Sequence, residues 1–173
     1  MKRLQAIITF SKLIFTDTKF LLKELLRYSF EADKRKYVQK KYSRKPPFVN
    51  ISDLVPGIDE EVLKYTFLEG TSQPIDIAFI KAICKQYTNC NYLEIGSWRG
   101  ESLFNAAQVA GKCTSISFSA NEVMARFRNK PMADSLQLFS KGIQNVKHME
   151  ADSLTFDFNS LNEKFDVIFV DGD

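Results

Sequence analysis

The sequence predicts a doubly wound, parallel α/β sheet, and three observations carry that prediction. From residue 74 onward, runs rich in β-branched and aromatic residues alternate with segments of helical periodicity. The first such strand runs straight into a glycine-containing turn and then a helix, in NYLEIGSWRGES over residues 91–102. Acidic or polar residues stand at the ends of three of the four strands, and a parallel sheet brings those ends to one edge.

The elements follow in order. Thr71, Ser72 and Gln73 precede Pro74, and IDIAFIKAICKQY continues as a helix with proline in its first turn. Strand NYLEIG (91–96) leads to helix ESLFNAAQVA, and strand CTSISFS (113–119) leads to helix NEVMARF. Helix MADSLQLFSKG (132–142) precedes strand NVKHMEA (145–151). The last segment, FDVIFVDGD, contains a strand apolar on both faces, as suits a central position, yet no further strand follows in this sequence to pair with it, so an exposed edge beside Val167, Ile168, Phe169 and Val170 is expected. Upstream, residues 48–70 hold a turn at Pro56-Gly57 and short apolar pieces, the pattern of an ordered covering segment.

Residues 3–30 read differently. Leu4, Ile7, Ile8, Phe10, Ile14, Phe15, Leu21, Leu22, Leu25 and Leu26 fall on one broad arc of a helix, with Lys12, Lys19, Lys23 and Arg27 on the other side. This amphipathic helix has three destinations open to it: its own domain, a partner, or an anionic membrane surface. Pro46 and Pro47 end any helix, so the chain divides into a basic helical segment, 1–45, and an α/β segment, 46–173. The net charge of +3 divides with it, +9 in the first segment and −6 in the second. Few aromatics interleave the amino-terminal cations, so a solvated face is expected there and no nucleic-acid partner.

Composition excludes several classes. Fifteen Phe, six Tyr and one Trp supply a core, and seven Gly and five Pro are too few for low-complexity sequence. Lys12, Asp17, Lys19 and Lys23 interrupt the most apolar stretch well short of a membrane span. No small-x-small cleavage site follows it, so a cytoplasmic protein is expected. Cys84, Cys90 and Cys113 include no C-x-x-C pair and there is a single histidine, His148, which leaves no structural zinc site and points to buried thiols in a reducing compartment.

The turn at residues 96–100 carries the chemistry. Gly96 and Gly100 are spaced G-x-x-x-G, with Glu94 two residues before the first; a dinucleotide fingerprint would read G-x-G-x-x-G. A strand-end carboxylate repels a pyrophosphate and suits a ligand with hydroxyl, amino or cationic groups. The third strand ends in Glu150-Ala151-Asp152-Ser153 and the fourth in Asp171-Gly172-Asp173. A NAD-dependent oxidoreductase is thereby disfavoured.

Residues 91–173 resemble the first half of a class I S-adenosylmethionine-dependent methyltransferase, with LEIGSWRGES as the first motif and FDVIFVDGD as the fourth. YTFLEGTSQPIDIAFIKAI resembles the segment before that motif in bacterial members of uncharacterised substrate. The resemblance implies a Rossmann-like sheet and S-adenosylmethionine as cofactor. It places Glu94, Gly96, Ser97 and Gly100 against the methionine end and ribose, Asp152 and Ser153 facing the adenine, and Asp171 near the transferable methyl and the acceptor. For a hydroxyl acceptor, on a small molecule or glycan, Asp171 or Asp173 would take the proton directly or through a divalent ion. His148, within its strand, is expected to be structural.

Two departures stand out. The family usually has an acid at the end of strand two for both ribose hydroxyls; Ser117 falls there, and Glu122 is near enough in sequence to substitute. The resembled fold has about seven strands and this sequence holds four. That leads to the expectation of an amino-terminal part of a methyltransferase, inactive alone. The competing expectation is a non-catalytic cofactor-binding or membrane-surface fragment.

Overall fold

Asp17 divides the amino-terminal apolar stretch into two helices where the periodicity predicts one: α1 (Lys2–Thr16) and α2 (Thr18–Lys41). Its carboxylate accepts the Phe20 amide at 3.0 Å, the bond of an N-cap, while the Thr16 and Thr18 hydroxyls turn back to the Lys12 and Ile14 carbonyls at 3.0 and 2.7 Å. Main-chain bonds from Asp17 to Leu13 and from Leu21 to Asp17 nevertheless span the junction, so the helical phase carries through it. The computed structural model describes residues 2–41 and 49–171. The chain forms two units, Met1–Phe48 and Val49–Asp173. The predicted stop at Pro46-Pro47 lies outside the described residues, as does the expected boundary at 45/46.

The second unit is a Rossmann-like α/β layer. Strands β1 (Asn91–Ile95), β2 (Lys112–Ser117), β3 (Val146–Glu150) and β4 (Val167–Val170) form one parallel sheet in the order β3-β2-β1-β4. The four-residue α3 (Ile51–Leu54) and then α4 (Pro74–Cys84) precede β1. The connection from β1 to β2 is α5 (Glu101–Ala107), and that from β2 to β3 holds α6 (Ala120–Phe127) and α7 (Lys130–Asp134). The chain leaves β1 toward β2 and later returns to its other side as β4. Connections therefore diverge at the carboxyl ends of β1 and β4, the switch point where open α/β sheets bind ligands.

Pairing of Tyr92 with Cys113, and of Cys113 with Val146, sets the register and points these side chains to one face. There they meet α4 and α5 in a core of Ile80, Cys84, Cys90, Tyr92, Leu103, Ala106 and Cys113. All three cysteines are buried and free. Burial pushes the Cys113 thiol up to about 12 and Cys84 higher still, so both are protonated, inert hydrophobes.

One helix prediction needs correction. The helix predicted over 132–142 is only α7, ending at Asp134; residues 135–142 form turns. Tertiary bonding overrides helical periodicity there, because the Gln137 and Phe139 amides donate to the Trp98 and Arg99 carbonyls at 2.7 and 2.9 Å. Gln137 takes a left-handed φ of 60° to do so. Strand β4 stands at the unpaired edge that the sequence leads one to expect: Val167 and Phe169 pack on the core, while Ile168 and Val170 are 56% and 64% exposed. Among the described residues, β4 is an edge strand with no element over that second face.

The covering segment predicted before α4 is present without regular structure beyond α3. Polar side chains of the α/β layer hold it like a strap. Lys81 donates to the Glu61 carbonyl at 2.5 Å, Lys85 pairs with Glu60 at 2.7 Å, and Asn105 takes both the Leu63 amide and its carbonyl at 2.8 and 2.7 Å. Side-chain amides thus replace the ladder partners that this backbone lacks.

Candidate functional site

Past β1 the ladder runs one residue further, with the Gly96 amide donating to the Ile116 carbonyl at 2.9 Å, before the chain turns at a φ of 98°. Gly100, at φ 83°, opens α5. Both angles lie where side-chain-bearing residues are strained. Between this turn, the end of β2 and the segment after β3 lies a cavity of about 580 Å³, within the range of small-molecule sites.

The cavity brings together all the sequence-predicted site residues that are described: Glu94, Gly96, Ser97, Gly100, Ser117, Asp152, Ser153 and Asp171. Asp173, the other proposed base, lies outside the described residues. Apolar side chains alternate with these polar ones, among them Trp98, Ile116, Phe118, Phe127 and Leu154. Such a lining suits a ligand with polar ends and an apolar or aromatic part.

Glu94 is fully buried, and its carboxylate accepts the Tyr92 phenol at 2.7 Å and the Ser102 hydroxyl at 2.9 Å. Desolvation raises its pKa above the usual carboxylate range, against the lowering effect of those hydroxyls. A folded-state pKa above the unfolded value means that the folded protein binds the proton more tightly. The Glu94 contribution to stability is therefore fully present below the unfolded value near 4.5 and is lost as pH rises through the folded one. Glu94→Gln should remove that component: the difference in urea midpoint between wild type and variant should shift in favour of wild type as pH falls toward 4.5. A pH-independent difference would show that Glu94 is not protonated on folding.

Ser97 is buried, and its hydroxyl lies close to Glu94 without completing a hydrogen bond. Ser117 ends β2 with its side chain on the cavity, while its carbonyl accepts the Ala151 amide at 2.9 Å. Asp152 is engaged by the Leu154 amide at 3.0 Å and the Arg126 guanidinium at 2.7 Å, which hold its carboxyl below the ordinary range. Arg126 in turn stacks over Phe118, 4.5 Å from the ring centre. Asp171 follows β4, its amide bonded to the Ile95 carbonyl at 2.8 Å and its carboxylate accepting the Ser72 hydroxyl at 2.9 Å.

Glu122 does not substitute at the end of β2. Its carboxylate accepts the Ser119 amide and hydroxyl, both at 2.8 Å, in the capping box of α6, and it does not line the cavity. His148 is half-buried in β3, with Nε2 3.3 Å from the Ser140 carbonyl, away from the cavity lining. Among the described residues, no three His, Cys, Asp or Glu side chains gather as a metal ion would need.

The sequence reading missed the strap's part in the site. Gly70, Thr71 and Ser72 line the cavity, and a buried ion pair fastens them. Arg99 donates through Nε to Glu101 at 3.0 Å, and through Nη2 to the Glu69 carbonyl at 3.1 Å and to the Thr71 hydroxyl. Glu101 also accepts the Thr66 hydroxyl at 2.6 Å. Both charged side chains are nearly inaccessible. Arg99 inside the glycine-bounded turn, with Glu101 just past it at the first position of α5, was the available signal.

No protein-family model matches the chain, and no curated protein does. Among solved structures it is similar to a dimethyladenosine transferase from Plasmodium falciparum, 20% identical over 57% of this chain and 31% of that one, with a TM-score of 0.40. It is similar to an O-methyltransferase from Bacillus cereus in complex with SAH, 19% identical over 80% of this chain and 60% of that one, TM-score 0.40. It is also similar to a coclaurine N-methyltransferase bound to N-methylheliamine and SAH, 18% identical over 98% of this chain and 55% of that one, TM-score 0.41. The chain thus spans between about a third and three-fifths of the length of these structures.

Proposed function

We propose that the α/β unit binds S-adenosylmethionine in the cavity at the ends of β1 and β2 and serves methyl transfer to a hydroxyl of a small molecule or glycan. One observation carries the reading: residues from four separate strand ends, chosen from the first- and fourth-motif resemblance, line a single cavity. The donor set fits the cofactor. Ser97 presents a buried hydroxyl with no completed hydrogen bond, and Glu94 places an acid where a dinucleotide phosphate would be repelled.

On this reading Glu94, Gly96, Ser97 and Gly100 receive the methionine end and ribose, and Asp152 with Ser153 faces the adenine. The cofactor supplies an electrophilic sulfonium methyl. The residues' task is chiefly alignment, since an in-line displacement gains most from holding nucleophile and carbon in place. Asp171 accepts the acceptor's hydroxyl proton at its carboxylate, whose orientation the Ser72 hydroxyl fixes. The described residues give a divalent ion no cluster to bind, so no step is assigned to one.

Calorimetric titration of the chain with S-adenosylmethionine and separately with NAD tests the proposal. Binding of the first and not of the second is expected; binding of NAD alone overturns it. Ser117→Asp should tighten S-adenosylmethionine binding about five- to tenfold, as a charged hydrogen bond worth about 1.5–3 kcal/mol replaces a neutral one worth about 0.5–1.5 kcal/mol. An unchanged or weakened affinity would place the ribose contact elsewhere.

A further inference from the structure

We propose that the amino-terminal helical unit binds the surface of an anionic lipid bilayer, lying along it through the apolar stripe of α1 and the first half of α2. The stripe is unusually bare. Leu4, Ile8, Phe15, Leu22 and Leu26 are 65%, 60%, 88%, 55% and 71% exposed. At 100° per residue they fall within a single 40° sector, and the main-chain bonds that bridge Asp17 keep α1 and α2 in phase across it.

Charge identifies the occupant. Lys12, Lys19 and Lys23 lie across from the centre of the full apolar arc but border its bare edge, in the sector immediately beside this stripe, so cations run alongside apolar groups for about three turns. A bilayer offers that pair of layers in that order, acyl chains below and anionic headgroups at the level a lysine stem reaches. Glu24 falls on the side of α2 away from the stripe and is paired with Arg27 at 2.6 Å. Further along α2 the ammonium groups of Lys34 and Lys41 lie 4.7 and 5.5 Å from the rings of Phe30 and Tyr37, giving aromatics an adjoining positive charge suited to an interface. A second copy of the chain would bring two +9 segments together, so self-association is the poorer occupant. No described helix is long and apolar enough to cross a membrane, which makes the contact a surface one.

Co-sedimentation of the full chain with phosphatidylcholine vesicles, with and without phosphatidylglycerol, tests this at low and high salt. Binding is expected only with the anionic lipid and should weaken as salt rises. Replacing Lys12, Lys19 and Lys23 together by Gln should reduce it about a hundredfold. Phe15→Ser should reduce it independently of charge, and circular dichroism confirms that both variants keep their helices. Equal binding to neutral vesicles, absence of binding, or retention after the triple substitution overturns the proposal. So does a concentration-dependent dimer, seen by sedimentation, that protects the stripe. S-adenosylmethionine affinity, carried by the other unit, stays unchanged in these variants.

Discussion

Glu101→Leu should destabilise the α/β unit by about 3–5 kcal/mol, the usual consequence of leaving one member of a buried ion pair without its partner. Glu101 is the common acceptor for the Arg99 Nε and the Thr66 and Thr71 hydroxyls, at 3.0, 2.6 and 3.3 Å. Its removal leaves a guanidinium with 4% side-chain exposure holding neutral acceptors only, at Glu69 and Thr71, and takes from the Thr66 and Thr71 hydroxyls their carboxylate acceptor. A second substitution gives the argument its edge. Arg99→Met in the same chain removes the stranded charge, so the double variant should recover most of the loss in urea melts. Proteolysis within residues 60–72 should meanwhile rise in both, because the strap has lost its fastening. Additive losses in the double variant would mean that the two groups act separately.

Gly100→Ala should cost about 2–4 kcal/mol through two mechanisms that can be separated. A left-handed φ of 83° strains any side-chain-bearing residue, and a Cβ there would come within 2.3 Å of Ser140 Oγ and 2.8 Å of its Cβ. Ser140 is wholly buried and cannot swing away. Its hydroxyl lacks a hydrogen-bond partner, so Ser140→Gly gives up little and opens the space. The pair Gly100→Ala/Ser140→Gly should therefore lose only the strain. Gly57→Ala is the reference, with φ 66° and nothing within 4 Å of its Cβ; about 1–2 kcal/mol is expected there. A Gly100→Ala cost no larger than that of Gly57→Ala would remove the steric half of the account. The glycine that the sequence suggests is kept for close approach to a ligand is also kept for close approach to Ser140.

Alternation of period two with period 3.6 made the order of the α/β elements legible, and the acidic strand ends, together with the motif resemblance, made the cavity residues legible. Both signals are local. Part of what failed was set by contacts between distant segments, and part by local caps. Residues 135–142 have helical periodicity, yet Trp98 and Arg99 carbonyls capture their amides. Glu122 stands three residues from Ser119 and is consumed by a cap, which spacing alone permits but does not demand. Arg99 and Glu101 drew no assignment from the sequence, because composition carries no information about burial until the strap is placed. Asp17 was read as an interruption of an apolar run, although an aspartate before a threonine is equally a start signal.

Trp98 is the chain's one tryptophan, and its ring sits where three parts of the site meet. Gly70 of the strap approaches so closely that a Cβ there would lie 2.7 Å from Cζ3, Arg99 covers the ring at 4.1 Å, and the indole nitrogen donates to Ser135 Oγ at 2.9 Å. Intrinsic fluorescence of this protein is consequently a single-point optical probe of the cavity wall. An emission change on adding a ligand reports on the strap and the β1–α5 turn with no label introduced. A thermal melt followed at that wavelength tracks loosening of the site, while ellipticity tracks the helices as a whole. Where the two curves separate, the wall has opened before the sheet has melted.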